Sequence, residues 1–297
     1  MNYKIGVDGG GSKTECILVD ATGGVVARHL APGCNPNVVG TDQARLIVTD
    51  ALCALLVQAQ ISDSRSAIAA TRFYMSGAPG FWQEFAAQLA DFGETSAHPD
   101  SLPVLELATW GRPGLVIHSG TGSFVSARAP DGTIHYAGGL GWRFGDPGSG
   151  YDLGRRAISR ALLELQGWAA RSRLSVVVRD HTGLDEAGAI TRFFYQDPSP
   201  NAKISALAPR VLHLAAEGDL TAHQILLDST AELIELAARV ATTLFSGAAL
   251  DTLPAGLSGP ILTHPVVQQA LAPRSPLALV PVSDPPIEGV RQLLMRT

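Results

Sequence analysis

The sequence predicts an α/β protein built from two related lobes with a ligand cleft between them, and three observations carry that prediction. The first is an internal repeat. Residues 4–8 read as a strand, 9–14 as a turn, 15–19 as a second strand, 21–24 as a hairpin and 25–30 as a third strand. The same order returns roughly 110 residues later as strand 115–117, turn 119–123, strand 124–127, the hairpin Pro130-Asp131-Gly132 and strand 133–136. The second is that both leading turns, Gly9-Gly10-Gly11-Ser12-Lys13-Thr14 and Ser119-Gly120-Thr121-Gly122-Ser123, are rich in glycine and hydroxyls. The third is the strand, loop, helix, strand order over residues 67–99, which describes a βαβ unit and so a sheet with helices on its faces.

The composition narrows the possible partners. A chain of 297 residues accommodates about two domains. The net charge is −5 and no block of Lys or Arg interrupts the chain, so nothing marks a nucleic-acid or anionic-membrane surface, and the expected partner is a small molecule. Cys16, Cys34 and Cys53 form no Cys-x-x-Cys pair, which leaves no zinc or iron–sulfur spacing and reads as free thiols in a reducing compartment. A strand carrying Asp8 at the start leaves no room for a signal peptide, and no apolar run reaches the ~20 residues of a membrane span. A cytoplasmic protein is expected.

The elements follow in order. The loop 31–37 holds Asn35 and Asn37, which either present side-chain amides to the cleft or cap turns. Thr41 is expected to cap a helix whose stripe includes Ala44, Ile47, Val48, Ala51, Leu52 and Leu55. Strand segments 67–70 and 73–75 end at Ser76-Gly77, a strand end of the kind where ligand groups collect in α/β sheets. A helix over 81–91 and a strand over 94–99 lead to Asp100, followed by a helix over 102–109. Asp100 either caps that helix or faces the cleft as a base. In the second half, Gly148-Ser149-Gly150 opens a helix over 151–165, residues 167–220 show no well-defined helices, and 221–245 form one long helix. A weak strand around 250–253 precedes the glycine turn 255–260, where a nucleoside could lie against exposed backbone. Residues 277–282 and a helix over 287–295 close the chain.

The two glycine turns expose successive N–H groups suited to phosphate oxygens, and together they could grip a triphosphate. Neither matches Gly-x-Gly-x-x-Gly, and no Gly-x4-Gly-Lys-Ser/Thr occurs. Phosphoryl transfer needs positioning, a Mg²⁺ ion and an acceptor that can lose its proton. Asp8 is the candidate metal ligand, Asp100 the candidate base and Asp146 a clamp for sugar hydroxyls. Lys13 could reach a phosphate. His98 and His118 read as structural, and Trp110 and Trp142 as core or as sugar-stacking rings.

The three motifs at 8–14, 119–123 and 145–150, in this order and spacing, resemble the N-acetylglucosamine and glucosamine kinases, of the BadF/BadG/BcrA/BcrD-type branch of the actin-like, sugar-kinase and Hsp70 superfamily. The segment 281–289 resembles that family's closing stretch, so the likeness runs over nearly the whole chain. It implies two actin-like, ribonuclease H-like lobes holding ATP and an amino sugar in the cleft between them. The implied lobes are 1–108 and 109–284, with a C-terminal helix over 285–297 packing back on the first. It further implies ATP with Mg²⁺ as cofactors and transfer of the γ-phosphate to O6 of the sugar, and a homodimer is the expected assembly. Residue by residue, it implies Asp8 at the metal and Gly10, Gly11, Ser12, Lys13, Thr14, Thr121, Gly122 and Ser123 at the nucleotide phosphates. Gly256 and Gly259 fall at adenosine, Asp100 at the base, and Asn35, Ser76, Gly77, Asp100, Asp146 and Gly150 at the sugar.

The chain departs from the family where Pro147 replaces a carboxylate, where Phe124 follows the second phosphate turn, and where Pro260 ends the adenosine turn. These departures leave N-acetylglucosamine and glucosamine both open as substrates. A partner-driving ATPase of the dehydratase-activator type and a non-catalytic sugar sensor are the alternative functions. The activators hold an iron–sulfur cluster through cysteines, and the spacing of the three cysteines here is unsuited to that.

Overall fold

The computed structural model describes residues 2–62 and 64–296. The chain divides into two compact units: residues up to Trp110 together with those from Asp284 onward, and Gly111–Ser283.

In the first unit β1 (Tyr3–Gly9), β2 (Lys13–Val19), β3 (Val25–Pro32), β4 (Ile68–Met75) and β5 (Glu94–Pro99) form one sheet in the order β3-β2-β1-β4-β5. β1 to β3 run antiparallel as a meander, and β4 and β5 join parallel to β1. Alternation explains which face each strand buries. Ile5, Val7, Cys16, Leu18 and Phe73 pack against the helices Thr41–Gln58 and Pro79–Ala87 through Val48, Leu52, Trp82 and Phe85. Ile17, Val19 and Tyr74 point the other way and meet Ile287, Val290 and Leu294 of the closing helix Pro286–Arg296. Gly6 permits that helix to approach, because a Cβ there would lie 2.3 Å from Val290 Cγ1.

The second unit repeats the plan. β6 (Gly114–Ser119), β7 (Ser123–Arg128), β8 (Ile134–Gly138), β9 (Pro254–Ser258) and β10 (Ala278–Pro281) form a sheet in the order β10-β9-β6-β7-β8 with matching strand senses. Leu115, Ile117, Val125 and Leu257 pack with the helices Gly150–Leu165 and Leu220–Leu244 through Leu153, Ala157, Leu226 and Leu233. Among the described residues no helix is long and apolar enough to cross a membrane.

Several local expectations are corrected. Thr41 does not cap its helix; Gly40 occupies the cap with φ +84 and offers no side-chain bond. Segments 67–70 and 73–75 are one strand, β4, because Thr71 buries its hydroxyl on the Phe92 carbonyl and Arg72 binds the Glu94 carbonyl and carboxylate. Residues 167–220 contain four helices, Arg173–Thr182, Ala187–Tyr195, Pro200–Ser205 and Ala208–Ala216. Each is short and stabilised by burying a few residues such as Leu174, Ile190, Ile204 and Leu212, so no long periodicity announces it. Residues 250–252 are a 3₁₀ turn rather than a strand, and the strand comes after it as β9.

Candidate active site

In the first unit the parallel strands bring three strand ends that carry candidate residues into line. Gly9 is paired with Met75, and Met75 with Pro99, so Gly10, Ser76 and Asp100 emerge side by side. The carboxyl ends of parallel strands are where open α/β sheets collect ligand groups. The Ser76 amide donates to the Gly9 carbonyl at 2.8 Å and the Cys34 amide to the Gly10 carbonyl at 3.1 Å, which ties the loops after β4 and β3 to the first turn.

Asp100 occupies the cap position of the helix Ser101–Thr109, yet its side chain makes no capping bond. Burial pushes its pKa up to about 6, against the lowering effect of its own and the Ser101 amide. Asp8 is driven further, to about 7, by burial first and then by the negative charge of Asp100, with Lys13 pulling the other way. Two carboxyls with elevated pKa values, close enough to affect one another, mark this strand end as a candidate site.

Other residues in this unit have local duties. Thr14 is fully buried and its hydroxyl donates to the Pro32 carbonyl at 2.8 Å, so the turn's polar contribution comes from Gly10, Gly11 and Ser12. Lys13 lies half exposed and pairs with the buried Glu15 at 2.9 Å, and Arg28 pairs with the same carboxylate. Asn35 caps the short helix Pro36–Val39, accepting from the Asn37 amide at 3.0 Å, which settles its capping role; its oxygen also lies where a Cβ on Gly77 would come within 2.5 Å. Gly77 holds φ +87. Beside them, the Ser76 hydroxyl is buried with no hydrogen-bond partner among the described residues.

In the second unit the turn between β6 and β7 is locked to the 145–150 loop. Ser119 Oγ donates to the Gly148 carbonyl and Ser123 Oγ to the Pro147 carbonyl, each at 2.6 Å. The Gly150 amide, at the start of its helix, donates to the Gly120 carbonyl at 2.8 Å. Ser123 and Gly150 thus hold the turn in place, while Thr121 stays exposed at its tip. Asp146 Oδ2 lies where a Cβ on Gly122 would come within 2.9 Å. Its other oxygen accepts from the Gly141 amide at 3.2 Å, and burial raises its pKa to about 6. Gly256 sits inside β9, paired to Val116 and Val280, so the turn expected at 255–260 begins only at Gly259, whose φ of +87 turns the chain out of the strand.

Sequence reasoning missed Glu15, Arg28, Ser119 and Ser258. A signal for Glu15 was present, since a carboxylate among Cys16, Ile17 and Leu18 in a central strand must find partners if it is buried.

The model of a family described as the BadF/BadG/BcrA/BcrD ATPase family matches residues 5–253. An N-acetyl-D-glucosamine kinase of Dictyostelium discoideum is 28% identical over 78% of this chain and 77% of its own. A glucosamine kinase of Vibrio cholerae is 25% identical over 78% of each chain. Among solved structures, a candidate N-acetylglucosamine kinase from Chromobacterium violaceum superposes with a TM-score of 0.84 at 29% identity, covering 98% of both chains. A ROK family glucokinase from Streptomyces griseus, solved with glucose and AMPPNP, shares the fold at a TM-score of 0.61 and 13% identity, over 98% of this chain and 97% of that one.

Proposed function

Because the chain belongs to the BadF/BadG/BcrA/BcrD ATPase family, we propose that it is an ATP-dependent amino-sugar kinase. It transfers the γ-phosphate to O6 of N-acetylglucosamine or glucosamine, with Asp100 taking the hydroxyl proton. The observation that supports this most is Asp100 itself, a half-buried carboxylate at a helix start that does not cap the helix and has its pKa raised to about 6. A general base works best when its pKa lies near the operating pH.

The remaining residues fall into roles around that step. Within the first unit Ser76, Gly77 and Asn35 offer contacts for sugar hydroxyls, and within the second Asp146 offers a carboxylate of the same kind. The backbone of Gly10, Gly11 and Ser12 and that of Thr121 and Gly122 hold phosphate oxygens, and Gly259 lies against the nucleoside. Among the described residues no group of three metal-binding side chains occurs. A lone carboxylate nevertheless suits Mg²⁺, whose sites commonly use one or two carboxylates plus substrate phosphates and water. Asp8 would hold it, and the ion supplies charge compensation on the β- and γ-oxygens.

The test is ADP release with Mg-ATP against N-acetylglucosamine, glucosamine, glucose, N-acetylmannosamine and no sugar, with the phosphorylated position read by NMR. Turnover dependent on one amino sugar and a 6-phosphate product are expected. Hydrolysis indifferent to sugar would overturn the proposal in favour of a partner-driving ATPase.

A further inference from the structure

The ring of His118 lies at a junction that the roles above leave unexplained. It sits one residue from the end of β6, directly across from Phe124 of β7 and Ser258 of β9. Its Nδ1 is 3.3 Å from Ser258 Oγ, and its Nε2 lies 3.5 Å from where a Cβ on Gly120 would be. A Cβ on Gly259 would come within 3.1 Å of His118 Cε1, and within 2.2 Å of the Ser119 carbonyl oxygen. The ring is therefore wedged between the first residue of the Gly120–Gly122 turn and the turn that leaves β9.

The wedge is braced from behind. His118 stacks on Phe124 at 4.8 Å between centroids and 21°, and Phe124 stacks on Tyr136 of β8 at 5.2 Å and 27°. Tyr136 in turn abuts Gly139, where a Cβ would fall 2.1 Å from its hydroxyl oxygen. Three strands are thus crossed by one row of rings, and the turn after β6, the turn after β9 and Gly139 after β8 each touch it. Burial lowers the His118 pKa to about 4. The ring is then neutral, with one nitrogen donating and the other accepting, which suits a fixed bond to a hydroxyl.

We propose that His118 is a positioning residue for the nucleotide: through its bond to Ser258 and its contacts with Gly120 and Gly259 it fixes the phosphate turn relative to the nucleoside turn. This rests on the reading of those two turns as the nucleotide's contacts in this unit. A ligand that engages both turns, such as ADP or ATP, depends on their spacing. A ligand that engages only the phosphate turn, such as tripolyphosphate, does not.

The test measures dissociation constants of ADP and tripolyphosphate by calorimetry on the full chain, with melting temperature alongside. His118→Ala is expected to weaken ADP about 10-fold, the loss of one to two well-made contacts, and tripolyphosphate less than about threefold. His118→Phe keeps the stack and removes the bond, so it should match Ser258→Ala, and the double variant should weaken ADP no further than either single one. Equal weakening of both ligands, or additive effects of His118→Phe and Ser258→Ala, would overturn the proposal in favour of a general packing role. If the wild-type chain phosphorylates no sugar but shows this affinity pattern, the kinase reading falls and the positioning role stands. If it binds no nucleotide, both fall.

Discussion

The turn after β1 and the turn after β6 hold equivalent places in two sheets of the same topology, yet they are equipped differently. Where Asp8 faces Glu15 across the first strand pair, His118 faces Phe124 across the second. The first turn is surrounded by titratable groups, Asp8, Asp100, Lys13 and Glu15. The second is surrounded by hydroxyls, glycine backbone and a neutral aromatic stack, with the Asp146 carboxyl beside Gly122. One scaffold, used twice, carries several titratable groups in one copy and mainly uncharged donors in the other. Topology therefore decides where a ligand can sit, and the residue one place before the turn decides what that end of the sheet can do.

The sharpest way to break this comparison is Asp100→Asn. It should lower kcat by about 10²–10⁴-fold, the usual worth of general base catalysis, with nucleotide affinity unchanged. Steady-state kinetics with a matched ADP titration checks it, and a variant retaining most of its turnover would remove the acid–base distinction between the two copies.

A glycine substitution in each unit separates framework from contact. Gly259→Ala combines a φ of +87 with a Cβ 2.2 Å from the Ser119 carbonyl oxygen, and should cost at least about 2 kcal/mol in urea unfolding. Gly11→Ala meets nothing within 4 Å and should change stability by less than about 0.5 kcal/mol, while weakening ADP about 10-fold as its methyl meets phosphate.

The pH dependence should also be unequal. Asp8 and Asp100 are held at about 7 and about 6, above the ordinary 3.8, so the folded chain binds more protons than the unfolded one in that interval. Their stabilising contribution is complete below 3.8 and is lost as pH rises through about 6 to 7. The ligand-free protein should therefore lose stability between pH 4 and about pH 7 from this source, and the Asp8→Asn, Asp100→Asn double variant should flatten that slope. Asp146→Asn, which removes one carboxyl raised to about 6, should flatten it less. Turnover runs the opposite way, rising with pH through about 6 as Asp100 ionises. The smallest effect is expected for Lys13→Met, because that half-exposed pair leaves Arg28 on Glu15. Less than about 1 kcal/mol of stability and a two- to threefold rise in the KM for ATP should follow.

The repeat made the two sheets legible, because strand–turn–strand order and turn glycines are local signals. Asp8 and Asp100 stand where an element ends or begins, which is what makes them candidates in the sequence, and Asp146 is a candidate from the glycine motif of the loop before the helix Gly150–Leu165. The four helices of 173–216 were not legible, since each is stabilised by a handful of distant contacts rather than by its own periodicity. The duties of Ser119 and Ser258 were hidden too. They consist of bonds to residues far along the chain, such as the 29 residues separating Ser119 from the Gly148 carbonyl it binds.

Ser119 and Ser123 grip the 147–148 backbone by carbonyl oxygens, and a carbonyl is the same whatever side chain its residue carries. The side chain at 147 takes no part in these moorings. Anchoring through the main chain frees that position to vary while the loop stays tied to the turn.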